Sequence, residues 1–166
     1  DKQVNKVTPA LFERYPDVEA MAAASVEDVY PMVKSCGFKS KASNIIETCR
    51  LLCARHGGEV PATREELTAL PGVGRKTANL ILGDVYKVPG STVVDTHCIR
   101  LTNRLGIVDG LKDPVKIEME LRKVLPPEHS SDFCHCIVLH GRAVCDARRP
   151  QCEKCCLKHL CQHFSG

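Results

Sequence analysis

Four cysteines near the end of the chain constrain its fold more than any other feature. They follow the spacing Cys145-x6-Cys152-x2-Cys155-x5-Cys161. Four thiolates so close in sequence can bind one metal centre, which would then order a tail with little other structure. Zinc, an iron–sulfur cluster and free thiols are the alternatives. Structural zinc sites usually contain paired C-x2-C knuckles. The single pair here, flanked by longer gaps, favours a cubane cluster without excluding zinc.

The other cysteines do not form a disulfide framework. The chain has 11 cysteines in 166 residues, an odd number separated by long helical stretches, which indicates a reducing compartment. Cys156 breaks the ligand spacing, and we interpret it as a non-ligand. We interpret the rest as small buried apolar side chains: Cys36, Cys49, Cys53, Cys98, Cys134 and Cys136.

Charge and hydropathy exclude little. The net charge of +3 permits a nucleic-acid partner but does not by itself indicate one. The sequence has no apolar run long enough to span a membrane.

Short helices with recognisable caps predict an all-α fold. Ser25 and Thr63 each precede acidic residues and are predicted N-caps. A chain of this length suits one compact unit or two small lobes. The segment Lys87–Ser91 is the best candidate linker, and it would divide two helical lobes into 1–88 and 89–166. Further helices are predicted over about 40–56, 75–86, from Thr96 to near Gly106, 114–125 and 131–143.

The segment Leu70-Pro-Gly-Val-Gly-Arg-Lys76 predicts a tight turn between two helices. Gly72 and Gly74 can take positive φ, and the first amides of the following helix are unpaired, so the turn suits a DNA phosphate. A glycine stop followed by solvated basic residues is the alternative. The predicted DNA-binding residues here are Leu70, Gly72, Val73, Gly74, Arg75 and Thr77.

Two residues are candidates for catalysis. Lys76 lies in the first turn of a helix, where the dipole and Arg75 disfavour the charged ammonium, as a nucleophilic amine requires. Asp95 directly precedes another helix. Its simplest interpretation is an N-cap, and a catalytic role depends on its lying across a cleft from Lys76.

Arg148 and Arg149 lie between the first two cysteines of the set. A loop held at both ends by a metal centre would present them rigidly to phosphates; simple solvation is the alternative.

Together these motifs closely resemble the endonuclease III family of DNA base-excision glycosylases. The residues that carry the resemblance are Leu70-Pro-Gly-Val-Gly-Arg-Lys-Thr-Ala-Asn79, Val94-Asp-Thr-His97, Leu139-His-Gly-Arg142 and the four cysteines, in matching order and separation. The similarity covers essentially the whole chain.

The resemblance implies a helix-hairpin-helix DNA glycosylase fold, with two helical lobes flanking a cleft and an iron–sulfur cluster tail. It implies a [4Fe-4S] cluster on Cys145, Cys152, Cys155 and Cys161. It also implies removal of oxidised pyrimidines from damaged double-stranded DNA, followed by lyase cleavage at the abasic site. The expected protein is a monomer in the bacterial cytoplasm, associated with the nucleoid through DNA.

Within the resemblance, Lys76 matches the nucleophilic lysine and Asp95 the essential aspartate. Adenine-mismatch glycosylases are similar but lack a lysine at this position, so Lys76 favours the bifunctional branch. The family also has an N-terminal segment, whose second helix ends in a glutamine that fills the gap left by the flipped base. Asp1 matches the position just after that glutamine.

The expected N-terminal truncation leaves two alternatives to the enzyme. One is a catalytically incompetent DNA-binding fragment of the same fold. The other is a zinc-stabilised helical domain.

Overall fold

The computed structural model describes residues 3–37 and 39–165, except for the side chain of residue 165. Asp1, which the resemblance aligns beside the family's glutamine, lies outside these residues. The described part of the chain contains helices and turns and no β-strand, so the predicted all-α class is confirmed. The α-helices are α1 (Val4–Arg14), α2 (Val18–Ala22), α3 (Val26–Val33), α4 (Lys39–His56), α5 (Arg64–Thr68), α6 (Arg75–Asp84), α7 (Thr96–Leu105), α8 (Pro114–Val124), α9 (Ser130–Ala143) and α10 (Gln162–Ser165).

Side-chain caps begin several of these helices where the sequence predicts them. Ser25 Oγ accepts from the Asp28 N–H at 3.1 Å, and Thr63 Oγ1 accepts from the Glu66 N–H at 3.3 Å. Each cap replaces a partner that the first turn of a helix otherwise lacks. Glycine also ends a helix: Gly106, directly after α7, adopts the left-handed conformation with φ +80°.

The chain divides into two compact units, one ending at Gly74 and the other beginning at Arg75. This division assigns α6 to the C-terminal unit, 14 residues earlier than the boundary predicted between residues 88 and 89. The predicted lobes of the glycosylase fold remain a prediction.

Each unit has its own apolar core. In the first unit, α4 packs against α2 and α3, with a core of Leu11, Met21, Ala24, Val29, Val33, Ala42 and Ile46. In the second unit, α9 packs against α6 and α7, around Val94, Cys98, Leu101, Val108, Ile117, Leu121 and Ile137. No helix among the described residues is both long enough and apolar enough to cross a membrane.

Candidate active site

Lys76 is the second residue of α6, and its side chain is exposed. Polar contacts from α9 to Asp84 fix the C-terminal end of α6. Ser131 Oγ of α9 donates to Asp84 Oδ1 at 2.8 Å, and His135 Nε2 lies 2.8 Å from the same oxygen. Partial burial alone would raise the pKa of Asp84, but these hydrogen bonds lower it, so Asp84 stays ionised. Lys76 thus combines an accessible amine with a fixed helix.

The turn before α6 depends on one glycine. Gly72 has φ +76°, and a Cβ built on it would lie 2.7 Å from Asn44 Nδ2, so both its conformation and its surroundings require glycine. Gly74 differs from the prediction because its φ is not positive, and a Cβ on it would meet no atom within 4 Å. The side of Gly74 where a side chain would project is therefore open.

The residues predicted to contact DNA at this turn differ in accessibility. Gly72, Gly74 and Thr77 are exposed, and Val73 is half-buried. Leu70 is only 6% exposed, and its carbonyl accepts from the Val73 N–H at 3.1 Å. Leu70 therefore anchors the turn in the core, and its contact with DNA remains a prediction.

Arg75 binds a buried carboxylate. Its Nε and Nη2 donate to Glu118 Oε2 and Oε1 at 2.7 Å and 3.0 Å, a two-pronged ion pair with α8. These hydrogen bonds raise the pKa of the guanidinium. Its position in the sequence predicted that Arg75 binds a DNA phosphate. Its ion pair with Glu118 was not predicted. Its role in DNA binding remains a prediction.

Asp95 caps α7. Its Oδ1 accepts from the Cys98 N–H at 2.8 Å, so Asp95 does cap the helix, as its simplest interpretation predicts. The side chain is half-buried, and the described residues supply no other hydrogen bond to that carboxylate. Capping therefore leaves Oδ2 available for other chemistry.

Asn79 links the two candidate catalytic segments. It is 1% exposed, and its Nδ2 donates to the Thr92 carbonyl at 2.7 Å. Asn79 lies three residues after Lys76, and Thr92 lies three residues before Asp95. This bond fixes α6 against the segment that leads into Asp95. Asn79 belongs to the motif that carries the resemblance, but its role was not predicted.

The thiols nearest Asp95 are not competing nucleophiles. Burial raises the pKa of Cys98 to about 12 and that of Cys134 to about 11, so both remain neutral thiols at physiological pH. Cys134 Sγ accepts from the Val93 N–H at 3.2 Å and so helps to hold the segment before Asp95.

The four cysteines of the tail line one cavity. Cys145 follows α9, and Cys152, Cys155 and Cys161 lie in the short turns beyond it. Among the residues that the structure describes, no three His, Cys, Asp or Glu side chains form a group that could hold a single metal ion. The thiols therefore surround a common space and do not converge on one point.

Nitrogen atoms lie within hydrogen-bonding distance of two of these thiols. Arg104 Nη1 lies 3.2 Å from Cys145 Sγ, and His140 Nε2 lies 3.4 Å from Cys155 Sγ. The Leu157 N–H also donates to Cys155 Sγ at 3.4 Å. The Arg104 and Leu157 N–H groups thus provide hydrogen bonds to the sulfur atoms of Cys145 and Cys155, as groups around metal-binding cysteines commonly do. Cys161 Sγ instead donates to the Arg104 carbonyl at 3.4 Å.

Two arginines of α7 hold the loop that follows Cys145. Arg100 Nη2 donates to the Cys145 carbonyl at 3.0 Å, and Arg104 donates to the carbonyls of Asp146 and Ala147 at 2.8 Å and 3.0 Å. These contacts were not predicted, because the arginines lie more than 40 residues before the loop.

Arg148 and Arg149 lie in this loop with exposed side chains. Their backbone N–H groups donate to Asp146 Oδ1 at 2.9 Å and 3.0 Å. These hydrogen bonds lower the pKa of Asp146. The loop backbone is thus fixed, and both guanidinium groups face solvent.

The prediction that all six remaining cysteines are buried is only partly correct. Cys98 and Cys134 are buried, whereas Cys136 is exposed. Positions two apart on a helix face different sides, so Cys134 and Cys136 of α9 cannot both face the core. The others are half-buried: Cys36, Cys49 and Cys53. Cys156 is exposed.

Comparison with known proteins gives the family of this chain. A sequence profile of the HhH-GPD superfamily of base excision DNA repair proteins matches residues 1–127. Endonuclease III of Synechocystis sp. is 46% identical over 162 residues, which cover 97% of this chain and 74% of that protein. Endonuclease III of Escherichia coli K12 is 44% identical, over 98% of this chain and 77% of that protein.

The chain belongs to the endonuclease III family. It is thus a base-excision repair DNA glycosylase of the bifunctional type, which also acts as an AP lyase.

Solved structures agree with this assignment. A non-covalent endonuclease III–DNA complex matches with a TM-score of 0.91 and 40% identity, over 98% of this chain and 76% of that one. A trapped endonuclease III–DNA covalent intermediate matches with a TM-score of 0.92 and 40% identity, over 99% and 78%. A thermostable thymine-DNA glycosylase, at 24% identity and a TM-score of 0.87, shares the fold. The predicted helix-hairpin-helix glycosylase fold is confirmed.

The two glycines of the turn should differ in their tolerance of side chains. Gly72→Ala should lower the free energy of unfolding by about 1–2 kcal/mol, because alanine resists the left-handed conformation, and displacing Asn44 should add to the loss. Gly74→Ser is the control, because its Cβ enters open space and serine is a good N-cap. Urea unfolding of both variants measures the difference. Equal destabilisation by the two substitutions would refute this account of the turn.

Proposed function

We propose that this chain removes oxidised pyrimidines from double-stranded DNA and then cleaves the abasic site, with Lys76 as the nucleophile. The observation that carries the proposal is the hydrogen bond from Asn79 to Thr92, which joins the segment of Lys76 to the segment of Asp95. An exposed lysine in the first turn of α6 is fixed, through the 2.7 Å Asn79–Thr92 bond, to the segment that ends in Asp95. Amine and carboxylate groups on two mutually fixed segments suit a reaction that needs a nucleophile and a proton acceptor.

DNA is held through its backbone in this proposal. The first backbone N–H groups of α6 donate to one phosphate. The exposed guanidinium groups of Arg148 and Arg149 bind others. The two endonuclease III structures that resemble this chain at 40% identity are DNA complexes, which supports the assignment. Contacts with the DNA backbone do not distinguish base sequences, so the enzyme can search any duplex. We also propose that it acts as a monomer.

The damaged nucleotide leaves the base stack before it reacts, at a cost that is smaller for a lesion than for a paired base. The Lys76 Nζ lone pair then forms a bond to C1′ while the C1′–N bond breaks. The electron pair of the broken bond leaves with the base, which takes a proton from water. The Nζ proton passes to Asp95. The sugar ring opens as O4′ accepts that proton from Asp95, which returns Asp95 to its charged form and leaves a Schiff base between Nζ and C1′.

Strand cleavage follows from the Schiff base. The iminium nitrogen withdraws electrons, so C2′ loses a proton easily, and that proton passes to the hydroxide left when water protonated the departing base. The C3′–O bond then breaks, and its electron pair leaves with the 3′ phosphate. Water hydrolyses the Schiff base and returns Lys76 to its starting state. Asp95 has two tasks here: it accepts the proton from Nζ, and its negative charge stabilises the positive charge that develops on the sugar.

The four tail cysteines are proposed to hold a [4Fe-4S] cluster. A cubane binds each thiolate to a different iron, so its ligands stay farther apart than those of one zinc ion. Four cysteines around one cavity, with N–H donors directed at Cys145 and Cys155, fit that requirement. A bound cluster would cross-link the tail to the residue that follows α9, in addition to the hydrogen bonds that already hold the loop carrying Arg148 and Arg149.

Replacing Lys76 tests the proposed function most directly. Lys76→Gln should bind DNA but give no covalent adduct with an abasic duplex in borohydride, because an amide cannot form the Schiff base that borohydride reduces. Lys112→Gln, at an exposed position outside the proposed site, is the control and should be trapped like the parent. Trapping of Lys76→Gln at the parental level would disprove the assignment. A parent that binds DNA but is never trapped would favour a DNA-binding protein without catalysis.

Asp95→Asn separates catalysis from capping. Asparagine caps a helix as well as aspartate, so stability should change little. The rate of base removal in a single turnover should fall by about 10²–10⁴-fold, because an amide cannot accept the lysine proton. Asp113→Asn, at the cap of α8, is the matched control and should react at the parental rate. A parental rate in Asp95→Asn would mean that Asp95 only caps α7.

Metal analysis tests the cysteine centre. The parent should be brown, with about four irons per chain. Cys161→Ser should lose iron and visible absorbance, whereas Cys156→Ser should keep both, because the exposed Cys156 lies outside the ligand set. A colourless parent that contains zinc after anaerobic purification would replace the cluster with a zinc site. Iron loss in Cys156→Ser would contradict the ligand assignment.

A further inference from the structure

Glu118 of α8 is a buried carboxylate that carries no part of the chemistry described above. Only 2% of the residue is exposed. A charge removed from water is tolerated only where ion pairs and hydrogen bonds replace its hydration. Two of its partners connect Glu118 to the segments that carry Lys76 and Asp95: Arg75, which lies next to Lys76, and Arg122 of α8, which also binds the segment leading to Asp95.

The first partner is Arg75, the residue next to Lys76. Its guanidinium binds both carboxylate oxygens, Nε to Oε2 at 2.7 Å and Nη2 to Oε1 at 3.0 Å. A two-pronged contact of this kind fixes orientation as well as distance, which a single hydrogen bond does not. The first turn of α6 is therefore held in both position and rotation, and the backbone of Lys76 is held with it.

The second partner is Arg122, one turn further along α8. Its Nε lies 3.5 Å from Glu118 Oε1, and the same guanidinium donates to the Gly90 carbonyl at 3.1 Å and 2.8 Å. The Gly90 N–H donates to the Pro127 carbonyl at 2.7 Å, so Gly90 is fixed on both sides. Gly90 begins the stretch that passes through buried Ser91 and Thr92 to Asp95.

We propose that Glu118 is a positioning residue for the Lys76–Asp95 pair, acting through Arg75 on one segment and through Arg122 on the other. This inference rests on the proposed function of Lys76. It also gives Arg75 a task other than phosphate binding: Nε and Nη2 bind the carboxylate, and only the remaining N–H donors can face a ligand. We call the three side chains Arg75, Glu118 and Arg122 the Glu118 clamp.

The test is a single-turnover assay on the full chain with its metal centre. The probe is a duplex with one oxidised pyrimidine, and the enzyme concentration is varied so that the rate constant for base removal and the Kd for DNA are obtained separately. Borohydride trapping at completion gives the active fraction of each preparation. A variant that is merely less stable loses active fraction, whereas a mispositioned lysine reacts slowly in a fully active preparation.

Glu118→Gln removes the charge but keeps the shape of the side chain, and Arg75→Lys keeps a cation but loses the fork. The clamp predicts that both variants lower the rate constant by about 10- to 100-fold, since small displacements of reacting groups have effects of that size. Both should keep the parental Kd and active fraction. Glu120→Gln is the control: it changes a half-exposed carboxylate on α8 that pairs with Lys123, and it should react at the parental rate.

The outcomes separate the clamp from its alternatives. If Arg75 mainly binds phosphate, Arg75→Lys will raise the Kd while Glu118→Gln leaves the rate constant unchanged, and the clamp is overturned. If Glu118→Gln does not fold, Arg75→Lys decides, because Glu118 keeps a cationic partner there; a parental rate constant overturns the clamp. Cleavage that survives Lys76→Gln would overturn the proposed function and the clamp together. Loss of cleavage in Lys76→Gln with a parental rate in Glu118→Gln overturns the clamp alone.

Discussion

One buried negative charge sets much of the geometry of the C-terminal unit. Glu118 has almost no contact with water, so the folded chain must bring cations to it or lose several kcal/mol. Two arginines meet that requirement, one at the start of α6 and one on α8 itself. The first turn of α6 cannot shift without breaking the shorter of these contacts. The Arg122 guanidinium that faces Glu118 also holds Gly90, so the path of the chain toward α7 is linked to the same charge.

The candidate site separates exposed reactive groups from buried supporting ones. Lys76 is accessible, and Asp95 keeps one carboxylate oxygen clear of its capping bond. The groups that hold them are buried: the Asn79 amide, the Glu118 carboxylate and the Cys134 thiol. A protein interior of low polarity strengthens such hydrogen bonds. The supporting groups therefore fix the positions of side chains that must remain accessible to a large polyanionic substrate.

Local interactions explain why much of the fold was predictable from the sequence. A cap such as Ser25 or Asp113 bonds to an N–H two or three residues away, so the pattern is visible in a short stretch of sequence. The partner of Arg75 lies 43 residues away and that of Asn79 lies 13 residues away. A lone glutamate in a helix gives no indication of burial, and Arg75 therefore resembled a simple phosphate ligand. Cys136 was misassigned for a related reason, since composition alone does not reveal which side of α9 a cysteine occupies.

The loop after Cys145 is held through its carbonyl groups, which every residue type possesses. Arg100 and Arg104 contact the backbone of Cys145, Asp146 and Ala147 and not the exposed side chains further along the loop. The backbone conformation of this segment is therefore largely independent of the side chains at positions 148 and 149. Mutation and selection can alter the charge presented there without unfolding the loop. Relatives with the same fold can in this way diverge in the strength and salt tolerance of their binding to DNA.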